Sequence, residues 1–285
     1  MIVVRRVALL LLIACDSCGG GGEAEPQASE AETESEQAET VAEFVPRAGT
    51  VRGIVRLKED AELPSFAPGD IHGPQTMSPW TDNCPTFEDS MRQTVSLGEG
   101  RGLEGVWIYT GSEDTDAFFN AIGREYEPQA HEVAIDACLL SRGALSVTRG
   151  DTIRLTQNTR VENFLPALAG ETFSDALPFG ETREYTVERG GLTVLSCAFG
   201  APCGRTDIVV HYHPVHTVST ADGRFEMTNV PAGQTIEVVA AHPLFRYARG
   251  QIRVDEGGEA TIELELEPKP PEPPPAAQAE PSELI

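Results

Sequence analysis

The chain has 285 residues and a formal net charge of −24, from 45 acidic and 21 basic side chains. A charge of that sign repels nucleic acid and anionic lipid, so no nucleic-acid partner is expected. No Asp-x-Asp-x-Asp-Gly run offers a calcium loop, and aromatic residues, at 6%, are thin for a sugar-binding face built on exposed rings.

At the start, Arg5-Arg6 precede Leu9-Leu10-Leu11-Leu12-Ile13-Ala14-Cys15. The apolar run is too short to span a bilayer and suits a signal peptide. A plain secretory signal would want a small-x-small site without cysteine. Leu-Ile-Ala-Cys resembles the bacterial lipobox. The resemblance implies a signal peptide over residues 1–14, diacylglycerol on Cys15, and attachment to a membrane through that lipid. It also implies a place in the cell envelope, at the outer membrane or the periplasmic face of the inner one. Each buried methylene of the acyl chains adds roughly 0.8 kcal/mol of membrane affinity. Residues 15–47 then form a lipidated tether; positions 16–47 carry nine acids and one base, with Cys18 among them. Such a segment cannot bury enough apolar surface to offset its ordering entropy, so it reads as disordered, with an r.m.s. reach of roughly 30 Å.

Residues 48–267 are punctuated by Gly and Pro and carry short runs that alternate apolar with polar. These fall at 51–57, 105–109, 152–155, 208–210, 236–239 and 260–266. Period two with β-branched residues argues half-buried strands. The expected class is all-β, a sandwich architecture. A single helical interruption fits residues 115–125, with Gly123 against it. Residues 268–285, rich in Pro, Glu and Ala, read as a disordered, polyproline-biased tail.

Thr220-Ala221-Asp222-Gly223-Arg224-Phe225, followed by Val230-Pro231-Ala232-Gly233, signals a tight Asp-Gly hairpin and a second turn. Together with Gly49-Thr50-Val51-Arg52-Gly53-Ile54-Val55 it resembles the carboxypeptidase regulatory-like (transthyretin-like) β-sandwich. The resemblance covers two segments, 48–110 and 214–267, the closing strands lying at 236–241 and 260–266. The stretch between them, 111–213, resembles a plastocyanin-like cupredoxin. Two strands flank a Gly150-Asp151 turn, and a strand ends at Cys197, where cupredoxins place their copper thiolate. The implied fold is a regulatory-like β-sandwich with an inserted cupredoxin-like one.

The copper ligands are not retained. A blue-copper site needs two imidazoles, a thiolate and a weak axial ligand. The first imidazole would fall near Glu162-Asn163 and the second near Ala198-Phe199-Gly200, and neither place has histidine. The axial methionine would fall near Cys203. The insert therefore reads as degenerate, with no cofactor expected.

Four core cysteines remain, Cys84, Cys138, Cys197 and Cys203, an even number suited to an oxidising compartment. Three pairings are open. Cys197 with Cys203 would close a short loop in place of the copper loop; Cys84 with Cys138 would tie a long Pro-rich loop to the insert. His211, His213 and His216 are the one weak metal candidate. His211 and His213, two apart on a strand, would share a face. The alternative is a polar face with a His-Pro turn.

No Gly-x-Ser-x-Gly, His-Glu-x-x-His or P-loop is present, so no enzyme is expected. The expected function is a non-catalytic envelope lipoprotein with β-sandwich binding or scaffold domains, its protein or glycan partner unspecified. The alternatives are a metal-handling or copper electron-transfer protein using His211, His213, His216 and Cys197, and a carbohydrate-binding module.

Overall fold

In the computed structural model, the described residues are 46–66, 94–111, 116–160, 164–168, 171–172, 175–198 and 203–270. The expectations for Cys15, Cys18, Cys84, the tether and most of the Pro-rich tail lie outside them. So do those for Glu162-Asn163 and Phe199-Gly200.

Alternation in the first long strand, β1 (Ala48–Leu57), sends Val51, Val55 and Leu57 inward to near-zero exposure and leaves Arg52 in solvent. After it come a short ribbon, β2 (Ser96–Leu97) and β3 (Leu103–Glu104), then β4 (Trp107–Thr110) and helix α1 (Asp116–Arg124). The middle of the chain supplies β5 (Ala130–Asp136), β6 (Leu139–Leu140), β7 (Ala144–Thr148), β8 (Thr152–Gln157), β9 (Leu165–Leu168), β10 (Glu171–Thr172), β11 (Thr182–Thr186), β12 (Gly191–Ala198) and β13 (Arg205–His211). The chain then adds β14 (His216–Val218), β15 (Arg224–Pro231), β16 (Thr235–Ala241), β17 (Ala248–Arg253) and β18 (Glu259–Leu266).

The protein is all-β, built as two sandwiches. In the outer one, a β15-β1-β18 sheet is joined through an apolar core to a β14-β4-β16-β17 sheet. In the inner one, β10-β9-β12-β13-β7 and β11-β8-β5-β6 enclose a second core that includes Cys138, Cys197 and Cys203. Fully burying one large apolar side chain, such as Phe245 in the first or Phe164 in the second, contributes roughly 1.5 to 3 kcal/mol.

Local chemistry explains several elements. Gly53 sits between Phe225 and Ile262 on the flanking strands, and a Cβ there would overlap the Ile262 carbonyl oxygen. The second glycine of the Gly49-Thr50-Val51-Arg52-Gly53-Ile54-Val55 run is therefore a close-approach requirement. In the Asp-Gly turn, Gly223 takes φ +78° and its N–H donates to the Thr220 carbonyl. That turn is tight but not a hairpin: β14 pairs with β4 and β15 with β1, so it carries the chain from one sheet to the other. Helix α1 forms despite Gly123, because Phe118 and Phe119 bury against the outer core, with Asp116 and Arg124 at the ends that favour their charges.

Candidate functional site at the joint between the sandwiches

All five residues of β7 are buried, although its sequence alternates. Leu145 and Val147 enter the inner core; Ala144, Ser146 and Thr148 face the other way, where water would be expected. The outer sandwich covers that second face. Trp107 of β4 and Ala241 of β16 meet Ala144 at its centre, with Tyr109, Val209 and Val218 at the margin. Small side chains on β7 let the second sheet approach.

One end of the joint is built on histidine. Ser146 Oγ lies 3.0 Å from His211 Nε2 and 2.9 Å from His216 Nδ1, and Thr148 Oγ1 lies 2.9 Å from His216 Nε2. Neutral imidazoles satisfy this chain in either direction, His216 giving a proton from one ring nitrogen and accepting at the other while His211 takes part through Nε2 alone. The rings of His211 and His216 stack 4.4 Å apart, with Tyr109 against His211 at 5.1 Å. His213 stacks on Phe119 of α1 at 3.9 Å. Burial, helped by the neighbouring imidazoles His216 and His213, pushes His211 down to about 2. Burial also holds His213 and His216 at about 4.

Asp151, fully buried, anchors the strand turn beside this cluster. It accepts hydrogen bonds from Tyr126 Oη at 2.7 Å, from the backbone N–H groups of Gln129 and Thr148, both at 2.8 Å, and lies 2.8 Å from His131 Nε2. Burial alone would raise its carboxyl, yet these bonds outweigh burial and hold it below the usual carboxylate range. The same contact, with burial, pushes Tyr126 up to about 12.

The opposite end of the joint holds a second network. Thr94 Oγ1 donates to Asp207 Oδ2 at 3.0 Å and lies 2.9 Å from His242 Nε2. Arg205 pairs with Asp207 at 2.7 Å and lies 4.1 Å over the Phe66 ring. Burial raises Asp207 while Arg205 pulls it back. Burial, with Arg205 and Lys269 nearby, pushes His242 down to about 3.

His211, His213 and His216 do come together, but not on one strand face: β13 ends at His211 and His213 lies in the following turn. Nor do they form a solvated polar face, since the joint covers them. Among the described residues no group of three His, Cys, Asp or Glu side chains could hold a metal ion. Cys197 and Cys203 form a disulfide, with Cα atoms 5.5 Å apart. Cys197 therefore carries no thiolate for the metal-handling alternative. Cys138 is also disulfide-bonded. Sequence reasoning missed Asp151, Tyr126, Thr94, Asp207 and His242, which carry no motif. The only signal was the small polar residues on the outward face of β7.

No family model and no curated protein matches this sequence at a significant level. Among solved structures, the chain is similar to a copper-containing nitrite reductase from Thermus scotoductus SA-01, at 20% identity and a TM-score of 0.26. That match covers 31% of this chain and spans only 24% of the reductase. It is also similar to a purple cupredoxin from Nitrosopumilus maritimus, at 21% identity and a TM-score of 0.23, covering 30% of this chain and 99% of the cupredoxin. At these scores the likenesses carry no argument about fold or activity. No helix among the described residues is long and apolar enough to cross a membrane, which leaves β-barrels unaddressed.

Proposed function

We propose that this chain is a non-catalytic envelope lipoprotein, anchored through Cys15, whose regulatory-like and degenerate cupredoxin-like sandwiches together form a binding scaffold for a protein or glycan partner. The observation that supports it most directly is the Cys197–Cys203 disulfide. At the strand end where a cupredoxin would present a copper thiolate, this chain has a crosslink. The histidines that could have served a metal instead hydrogen-bond Ser146 and Thr148 or stack on Phe119. In this reading the acidic tether holds the scaffold away from the membrane, and its charge keeps it soluble there.

Two measurements test the reading. Oxidised protein incubated with Cu(II) should bind none tightly and develop no intense thiolate-to-copper band near roughly 600 nm, as a His₂Cys site would. A strong blue or purple colour would overturn the scaffold reading. Metabolic labelling with a palmitate analogue should mark the wild type, and Cys15→Ser should lose the label. Unchanged labelling of that variant would remove the anchor from Cys15.

A further inference from the structure

We propose that the joint between the two sandwiches is an acid-released hinge, at which buried histidines take up protons in mildly acid medium and the sandwiches separate while each stays folded. This goes beyond the scaffold reading and does not depend on the lipid anchor or on any partner.

The geometry carries the argument. One end of the joint is closed by the imidazoles of His211 and His216, the other by Thr94, which bonds Asp207 across the joint and His242 on its own side, and the centre is a small apolar contact of Trp107, Ala144 and Ala241. One of the chain crossings between the sandwiches, from β13 to β14, is itself a turn containing His213, whose Nδ1 accepts from the Val215 N–H at 3.2 Å. The contacts that must break on opening therefore include the imidazole bonds of His211 and His216 to β7, beside the apolar centre and the Thr94–Asp207 bond.

The surroundings of each ring offer little to hold a proton. His211 faces Ser146 from β7, Tyr109 from β4, His216 from β14 and His213 from its own turn. His216 faces Ser146 and Thr148, with Asp151 favouring its charge and His131 and His213 opposing it. Asp151 is already engaged by His131, Tyr126 and two backbone N–H groups. His213 faces Phe119 of α1 and the ring of His211, with a hydrogen bond to the Thr110 backbone favouring its charge. His242 faces Thr94, the rings of Phe66, Trp107 and Phe245, and the cations Arg205 and Lys269; the nearby Asp207 is paired with Arg205. Among the described residues no carboxylate bonds any of these four rings. Protonating both His211 and His216 would stack two like charges 4.4 Å apart.

The sign follows. In the closed joint the four rings stay neutral down to about 4 or below, whereas a released, solvated imidazole titrates near 6.5. Below about 6.5 the open form binds more protons than the closed one. The closed joint is therefore fully favoured above that pH and loses ground as pH falls towards about 4. Each released histidine multiplies the opening constant about tenfold per pH unit.

Trp107, 4% exposed at the centre of the joint, is a built-in reporter. In the full chain carrying Trp80→Phe it is the sole tryptophan. Its emission maximum and the far-UV circular dichroism should be followed together from about pH 7.5 to about 4. The expected result is a reversible red shift with the β signal retained, and a plot of log opening constant against pH with a slope of two or more protons. His216→Gln and, at the other end, His242→Gln should each lower that slope by about one. The slope is the test because either variant could also weaken the joint and move the midpoint. Loss of the β signal together with the red shift, no shift above pH about 4, or an unchanged slope in both variants would overturn the hinge.

Discussion

The outer and inner sandwiches share a surface device and differ in what holds their interiors. On each, an arginine of a central strand reaches carboxylates on both flanking strands. Arg52 of β1 meets Glu226 of β15 and Glu259 of β18 at 3.0 and 2.7 Å. Arg154 of β8 meets Glu132 of β5 and Glu184 of β11 at 2.7 and 3.0 Å. Inside, the outer core is a cluster of aliphatic and aromatic side chains, while the inner one gathers Cys138, Cys197 and Cys203. The inner sandwich is thus tied to the redox state of its surroundings, and the outer one rests on apolar burial and close strand approach at Gly53.

The largest effects should come from the cores. Phe164→Ala in the inner core and Phe245→Ala in the outer core should each cost about 3 to 5 kcal/mol. Calorimetry at neutral pH should show one cooperative transition, lowered by either variant, because the joint buries both faces of β7 and links the cores. Two transitions, each variant moving only its own, would show sandwiches that unfold independently and a joint too weak to couple them.

Crosslinks come next, and they separate the two halves. Replacing both Cys197 and Cys203 by Ser should cost roughly 2 kcal/mol, since the ring is small. Cys138→Ser should cost more, on the order of 4 kcal/mol if Cys84 is its partner, because a much longer loop is released. Hydrogen exchange under reductant should accelerate in β5, β12 and β13 before β1 and β15. Equal acceleration in both sandwiches would erase the contrast. Peptide mapping without reduction would identify the partner of Cys138.

Much of this contrast was legible in the sequence. Period-two alternation marked the strands at Val51 to Leu57 and Thr152 to Leu155, and the even cysteine count offered Cys197–Cys203 among its pairings. Phe118 and Phe119, three and four places into residues 115–125, marked the helix that Gly123 argued against. Alternation could not show the joint. A half-buried strand and a strand covered on both faces look alike when the second cover is a sheet distant in sequence, and Ser146 and Thr148 are ordinary solvent-facing residues by pattern. The histidine cluster was found by proximity in the chain. Its partners on β7 are 65 and 70 residues away from His211 and His216, beyond the reach of any local pattern.

The smallest expected effect tests the shared device. Arg52 and Arg154 keep 48% and 42% of their side chains exposed, so water and salt screen their ion pairs. An exposed pair contributes about 0 to 1 kcal/mol, even with good geometry. Each guanidinium here spans three strands, and a network of two pairs exceeds either alone only by what pre-ordering the arginine saves. Arg52→Ala and Arg154→Ala should therefore each lower stability by no more than about 1 kcal/mol, by similar amounts, and the difference from wild type should shrink at about 1 M salt. Chemical denaturation in urea, which leaves ionic strength free to vary, is the measurement. If one variant loses several times as much as the other, with no salt dependence, that arginine acts through the stem it lays over the sheet, and the two faces are alike in sequence only.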